Sequence, residues 1–376
     1  YGSYAAQMFA GLLNDSDTLS VTFMNSKDAD GAVLSSQTRS IDLSMTGDRQ
    51  AQVTRLLEET SWATGNTPVT SIHDALDVLI RQGLKSDEEL AGAEISEAEQ
   101  YWLVLTTDGV FDSSEAGREE YYNFSAGEVV AVIEEILDSY SSLQVVYFAL
   151  GAKNDTSKYK AIDFGKYSQL TAYPNFTSFY AEDQDEIVST MQDLSNRISG
   201  RYAVSEGVSA GGSTVTMTIS GESSPMRNIA VLAQNTNAKL VSAKMSDGTV
   251  LDIARSAKVE YPENPEYDQM DPGTLGGCSA VVSSGAGKIP AGEVVLTFDQ
   301  DVSGSDISLM YEPAIYVALN LQRQNGSEWE NVPYGSKLVE GDTLRVGYTI
   351  CEDGSDTPID PARLPGKTEA QLSCDG

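Results

Sequence analysis

Histidine is almost missing from this chain: His73 is the only one in 376 residues. That excludes metal centres built from several histidines. A Ser–His hydrolase would have to run through this single ring, and no G-x-S-x-G elbow accompanies it. Cysteine is nearly as scarce. Cys278, Cys351 and Cys374 show no C-x-x-C spacing, which argues against a zinc site. Cys351 and Cys374 are a candidate pair in an exported protein, with Cys278 left over; three cysteines leave pairing and compartment open. Apolar runs are short, as in "VVYFAL" from Val145 to Leu150, far below the ~20 residues of a membrane span. No transmembrane segment is therefore expected in this chain, and no signal peptide is visible at Tyr1. Basic residues are few as well, 24 against 56 acidic ones, for a net charge of -32. Such a surface repels nucleic acid and anionic membranes and favours cations.

What is present divides in two. Up to about residue 200, helical and strand patterns alternate. Ala5, Met8, Phe9, Leu12 and Leu13 form a helical stripe, and "TLSVTFM" alternates as a strand. "TSIHDALDVLIRQGL" is helical, with Ile72, Ala75, Leu76, Leu79 and Ile80 on one face and Gly83 as its stop. "YWLVLTT" and "QVVYFAL" read as buried strands. "SAGEVVAVIEEILDSY" opens with a capping box, Ser125 and Glu128. "DEIVSTMQDLSNRISG" carries apolar residues at helical spacing and ends at Gly200. Buried strands separated by amphipathic helices predict a parallel α/β sheet. Beyond Gly200, "STVTMTIS", "NIAVLAQ" and "KLVSAKMSDGTVLDIA" alternate with period two, the last around an Asp247-Gly248 hairpin turn. This is an all-β pattern of one or two sandwiches. "YPENPEYDQMDPGTLGG" reads as a long loop, and a boundary is expected near Tyr311 to Pro313.

Chemistry concentrates where "YWLVLTT" runs into Asp108-Gly109. Open α/β sheets bind ligands in the crevice at the carboxyl ends of their strands. Upstream, "TGNTPVTSIHDALDVL" is a Thr-rich loop feeding a helix. Together these stretches resemble the von Willebrand factor type A domain, in which a strand ending in Asp-Gly follows a loop of the form Thr-x-x-x-x-Ala-Leu. Thr70 stands five residues before Ala75 and fits that form; Thr67 is its rival. The resemblance covers about residues 1–200. It implies a metal-ion-dependent adhesion site. Thr70 would offer a hydroxyl and Asp108 its charge to Mg²⁺, Mn²⁺ or Ca²⁺, and one coordination position would be left for an acidic group of a partner. Hard oxygen donors suit such an ion. The bland alternative is that Thr70 caps a helix and Asp108 serves a turn. In the family an Asp-x-Ser-x-Ser motif ends the first strand. Here the chain opens in what reads as the following helix, so that strand is expected before Tyr1 or replaced by another segment.

One other stretch has the missing motif: "DVSGS", with Asp301, Ser303 and Ser305, after the apolar "VVLTF". A permuted or strand-donating chain would bring these three oxygens to the site. A β-hairpin with a polar turn explains the stretch more simply. Asp299 and Gln300 intervene after the strand, and "DISLMYEP" alternates like a strand instead of opening a helix. "SSGAGKIP" lacks the first glycine and the final Ser/Thr of a phosphate loop, and Pro290 disfavours the helix that would follow. "LPGKT" breaks the order of a sortase signal. Asn14, Asn123, Asn154, Asn175 and Asn325 begin N-x-Ser/Thr sequons, a number near what chance gives in this composition.

The expectation is a doubly wound, Rossmann-like α/β domain of von Willebrand A type over 1–202, a β-sandwich over 203–310, and a second, incomplete β or Ig-like module over 311–376. The expected function is non-enzymatic adhesion in an extracellular or cell-surface setting, with a divalent cation bridging to an acidic group on a protein or other ligand. The alternative is a structural stalk or assembly component with a degenerate, metal-free site.

Overall fold

The computed structural model describes residues 2–22, 40–60, 70–92, 100–107, 126–150, 167–181, 184–204, 207–220, 226–260, 276–333, 336–355 and 357–360, and the elements below lie within them. Helix α1 (Gly2–Leu12) is followed by β1 (Thr18–Thr22) and β2 (Ser40–Ser44), which pair antiparallel. Helices α2 (Arg49–Thr60), α3 (Thr70–Arg81) and the short α4 (Asp87–Leu90) come next. Then β3 (Tyr101–Thr107), α5 (Ala126–Ser139), β4 (Leu143–Leu150), α6 (Ser168–Thr171), β5 (Phe176–Ala181) and α7 (Gln184–Ser199) alternate. Strands β3, β4 and β5 form a parallel sheet in that order. The continuous apolar run of β4 follows from cover on both faces. Val145, Tyr147 and Ala149 pack with Ile72 of α3 and Ile133 of α5, while Val146 and Phe148 pack with Phe9 of α1 and Met191 of α7. Gly83 (φ 101°) and Gly200 (φ 64°) stop α3 and α7 in the left-handed conformation their positions predict.

No doubly wound α/β domain forms among the described residues, which corrects the expected fold class. Among the described residues the protein is mostly β, with 45% strand and 25% helix. The parallel sheet has three strands where a doubly wound domain has about six, and β1–β2 is a separate antiparallel pair. The reason lies in the second face of α1. Ala5, Phe9 and Leu13 enter the core shared with β2 and β4, but Tyr4, Met8 and Leu12 pack on Ala230, Leu232, Val281 and Met310 of the large sheet that follows. Each such fully buried side chain contributes roughly 1.5–3 kcal/mol, so α1 belongs as much to the β half as to the helical one.

That sheet contains β6 (Tyr202–Ala203), β7 (Val208–Gly211), β8 (Thr214–Ile219), β9 (Met226–Gln234), β10 (Leu240–Met245), β11 (Val250–Val259), β12 (Gly277–Ser283), β13 (Gly292–Phe298) and β14 (Asp306–Pro313). Their order is β6-β14-β9-β12-β11-β10-β13-β8-β7. Strand β11 is the pivot. Its first residues pair with β10 across the Asp247-Gly248 turn, and its remainder pairs with β12 through an irregularity between Ile253 and Arg255. The sheet curls there, as bulged strands do. Met217 and Leu296 of one half then meet Ile229, Val231 and Val282 of the other in one core. Strands β9 and β12 are buried along nearly their whole length. The period-two reading of "NIAVLAQ" missed this, because α1 covers the face that alternation would leave to water. Gly11 permits the approach: a Cβ there would stand 2.2 Å from Ser279 Oγ on β12.

Ala314 alone separates β14 from β15 (Ile315–Asn325), which joins β16 (Glu328–Asn331) and β17 (Leu344–Glu352) in an antiparallel sheet of order β16-β15-β17. Leu344, Val346, Tyr348 and Ile350 alternate onto one face. The buried apolar clusters of the rest of the protein include no described residue beyond Tyr311.

Candidate functional site

The first candidate position is the carboxyl end of β3. Helix α3 packs on this strand through Ile72 and Leu76 against Leu103 and Leu105. Gly83, just past the end of α3, lies beside the Tyr101 hydroxyl at the start of β3. The helix therefore runs opposite to the strand, and its first residue, Thr70, lies toward the end where β3 finishes at Thr107. Thr67 and Asp108 lie outside the described residues, and the Thr70 side chain is not described. His73 is exposed on the first turn of α3. One threonine hydroxyl and one carboxylate would supply hard oxygens to two of the about six positions of a Mg²⁺ ion. No group of three or more His, Cys, Asp or Glu side chains with metal-binding geometry occurs among the described residues.

The "DVSGS" stretch is elsewhere. Strand β13 pairs antiparallel with β10 and β8, so "VVLTF" is not the central strand of the parallel sheet. Nor is the stretch a hairpin turn. Strand β14 pairs with β9 and β6, in the opposite half of the curled sheet, and "DVSGS" is the crossover between the halves. Val302 is buried in the inner core, and its N–H donates to the Gly212 carbonyl at 2.8 Å. Asp301 Oδ1 accepts the Ser303 N–H at 2.8 Å. Hydrogen bonds from the Ser303 hydroxyl and N–H hold the exposed Asp301 carboxyl below its ordinary value. The stretch is thus an Asx-type turn with its carboxylate already engaged, and Asp301, Ser303 and Ser305 share no core cluster with α3 or β3.

A cluster of buried charge lies at the carboxyl end of α1, where no motif marks it. Three arginines from three elements converge on the last carbonyls of this helix. Arg49 of α2 donates to the Ala10 carbonyl at 2.5 Å and to its own neighbour Met45 at 2.8 Å. Arg201, just before β6, donates to the Leu12 carbonyl and to Asn14 Oδ1. Arg255 of β11 donates to the Leu13 carbonyl at 2.6 Å. Cations suit this position, because unsatisfied carbonyls give a helix its negative end. Asp15 bridges Arg49 and Arg255 at 3.2 and 3.3 Å. Burial pushes Arg49 and Arg201 down to about 10, while the carboxylates of Asp15 and Glu312, respectively, act in the opposite sense. Burial also raises the Asp17 carboxyl, opposed by the Asn14 N–H and by Arg201 and Arg255.

Glu312 at the end of β14 extends the network outward. It is buried, accepts from Asn228 and Asn14, and pairs with Arg227. Arg227 in turn holds Asp353 at 2.7 Å. Each arginine named in this network has a carboxylate or carbonyl beside it, so the cluster fastens elements together. Sequence reasoning passed over these arginines. The one available signal was Arg255, a charge inside the otherwise strand-like "LDIARSAKV". Two sequon asparagines are also structural: Asn14 bonds Arg201, and buried Asn175 donates to the Leu143 carbonyl at 2.8 Å.

No protein-family model matches this chain, and no curated protein does. Among solved structures it is similar to the pilus adhesin SpaC from Lactobacillus rhamnosus GG, at 8% identity and a TM-score of 0.33 over 96% of this chain and 51% of that one. A structure of the same adhesin described as an open conformation gives 9% identity and a TM-score of 0.29, over 96% and 50%. The chain thus spans about half the length of these structures. Among the described residues no helix is long and apolar enough to cross a membrane.

Proposed function

We propose that this protein is a non-enzymatic binding or assembly component of an extracellular surface, and that a divalent cation held near Thr70 and Asp108 bridges it to an acidic group of a partner. The observation that carries the metal reading is the antiparallel run of α3 along β3. It takes the head of the helix to the end of the strand from which the chain continues into Asp108. A net charge of -32 supports cation dependence, since an anionic partner group would otherwise be repelled. The structural alternative keeps the same fold and has no ion at this end.

The test is a calorimetric titration of the whole chain with Mg²⁺, Mn²⁺ and Ca²⁺, with Asp108→Ala and Asp301→Ala beside it. Saturable binding that is lost in Asp108→Ala and kept in Asp301→Ala is the expected result. Absence of saturable binding, or binding indifferent to Asp108, would leave the assembly role without its cation.

A further inference from the structure

The C-terminal sheet is joined to the rest of the protein in an unusual way for packed β elements. Its chain connection is Ala314, its strands add to no edge of the nine-stranded sheet, and no apolar cluster spans the junction among the described residues. What does span it is charge. The Met226–Ile289 bridge sets two cations side by side on the central sheet, Arg227 following Met226 and Lys288 preceding Ile289. Opposite them stand consecutive acids at the exit of β17. Lys288 Nζ lies 2.6 Å from Glu352, and Arg227 Nη2 lies 2.7 Å from Asp353. All four side chains are between 35% and 43% exposed, so water and salt reach both pairs. The Asp353 N–H donates to the Ala314 carbonyl at 2.9 Å, which extends the β15–β17 ladder by one rung up to the connecting residue itself.

We propose that Glu352 and Asp353 with Lys288 and Arg227 form an electrostatic latch, and that the C-terminal sheet swings about Ala314 when the latch is screened or broken. Interfaces without a shared apolar core permit relative motion. Half-exposed ion pairs hold such an interface only weakly, and salt weakens them further because the Debye length shrinks to about 3 Å at 1 M. The central sheet keeps its own core whether the latch is closed or open. The inference stands apart from the proposed cation site, which lies in the helical half.

The test is single-pair fluorescence energy transfer in the full chain, with dyes on Val250→Cys of the central sheet and Val339→Cys of the C-terminal region, both 65% exposed. Cys278 and Cys351 are buried, and Cys374→Ser keeps the third from labelling. Low salt should give one narrow distance distribution, and 1 M NaCl should broaden it. Lys288→Glu and Asp353→Lys should each raise the open fraction at low salt by about two- to fivefold. Asp353→Lys is preferred to a change at Arg227, which also holds buried Glu312. Lys288→Glu combined with Glu352→Lys restores the pair in reverse and should recover the narrow distribution. A distribution unmoved by salt and by both single reversals overturns the latch. Broadening that the charge swap does not recover overturns it too, since the pair itself would then not be what holds the sheet. Circular dichroism melts of each variant separate latch opening from unfolding.

Discussion

Two junctions in this protein use the same chemical groups and differ in depth. At the end of α1, Arg49, Arg201 and Arg255 are nearly excluded from water and bond helix carbonyls as well as carboxylates. At the end of β17, Arg227 and Lys288 meet Asp353 and Glu352 half in water. A buried guanidinium stripped of its partner has nothing to replace it, whereas an exposed one regains hydration. The first junction therefore locks helical layer and sheet together, and the second is the one proposed to open. Arg227 touches both, through Glu312 on one side and Asp353 on the other.

The sharpest way to break the contrast is to remove one arginine at depth. Arg201→Met leaves the Leu12 carbonyl and Asn14 Oδ1 short of a partner, and should cost about 3–5 kcal/mol in urea unfolding. The matching change outside, Asp353→Ala, should cost under about 1 kcal/mol and less at high salt. Equal costs would erase the distinction. Packing at the first junction offers a second probe. Gly11→Ala adds a methyl where Ser279 stands, and should cost about 1–3 kcal/mol despite the better helix propensity of alanine. Ser279→Gly in the same chain should recover part of that, read from the same unfolding curves.

A smaller effect sharpens the electrostatics. Burial raises the folded-state Asp17 carboxyl above its ordinary value. A raised acid contributes stability that is full below the unfolded value and is lost as pH rises through the folded one. Asp17→Asn should therefore gain stability relative to the parent as pH climbs from the ordinary carboxylate range through that raised value. A parallel pair of stability–pH curves would show that burial of the charge there costs nothing.

The helices were legible because their stripes are amphipathic and their stops are glycines; α1, α3 and α7 lie where the 3.6-residue period places them. Strand β4 was legible as a buried run, and β10–β11 as a hairpin around Asp247-Gly248. The capping box at Ser125 and the loop after Tyr261 lie outside the described residues. The candidate site was legible only as a pattern at Thr70 and Asp108. "DVSGS" shows why pattern alone misleads. The same five residues fit a metal motif, a hairpin turn and a crossover, and only the partners of β13 and β14 choose the last.

Composition and periodicity by themselves determined several of the helices and strands, α1, α3, α7 and β4 among them, and that the protein is strongly acidic, since those follow from side chains repeating along the chain; α2 (Arg49–Thr60) was not read from them. Which strands pair, which face of α1 meets which sheet, and which arginines end up buried were decided by tertiary structure. Periodicity says that a face is apolar and not what it will touch. An arginine reads alike in sequence whether its charge meets water or, as Arg255 does, the carbonyl just past the end of a helix, 242 residues away.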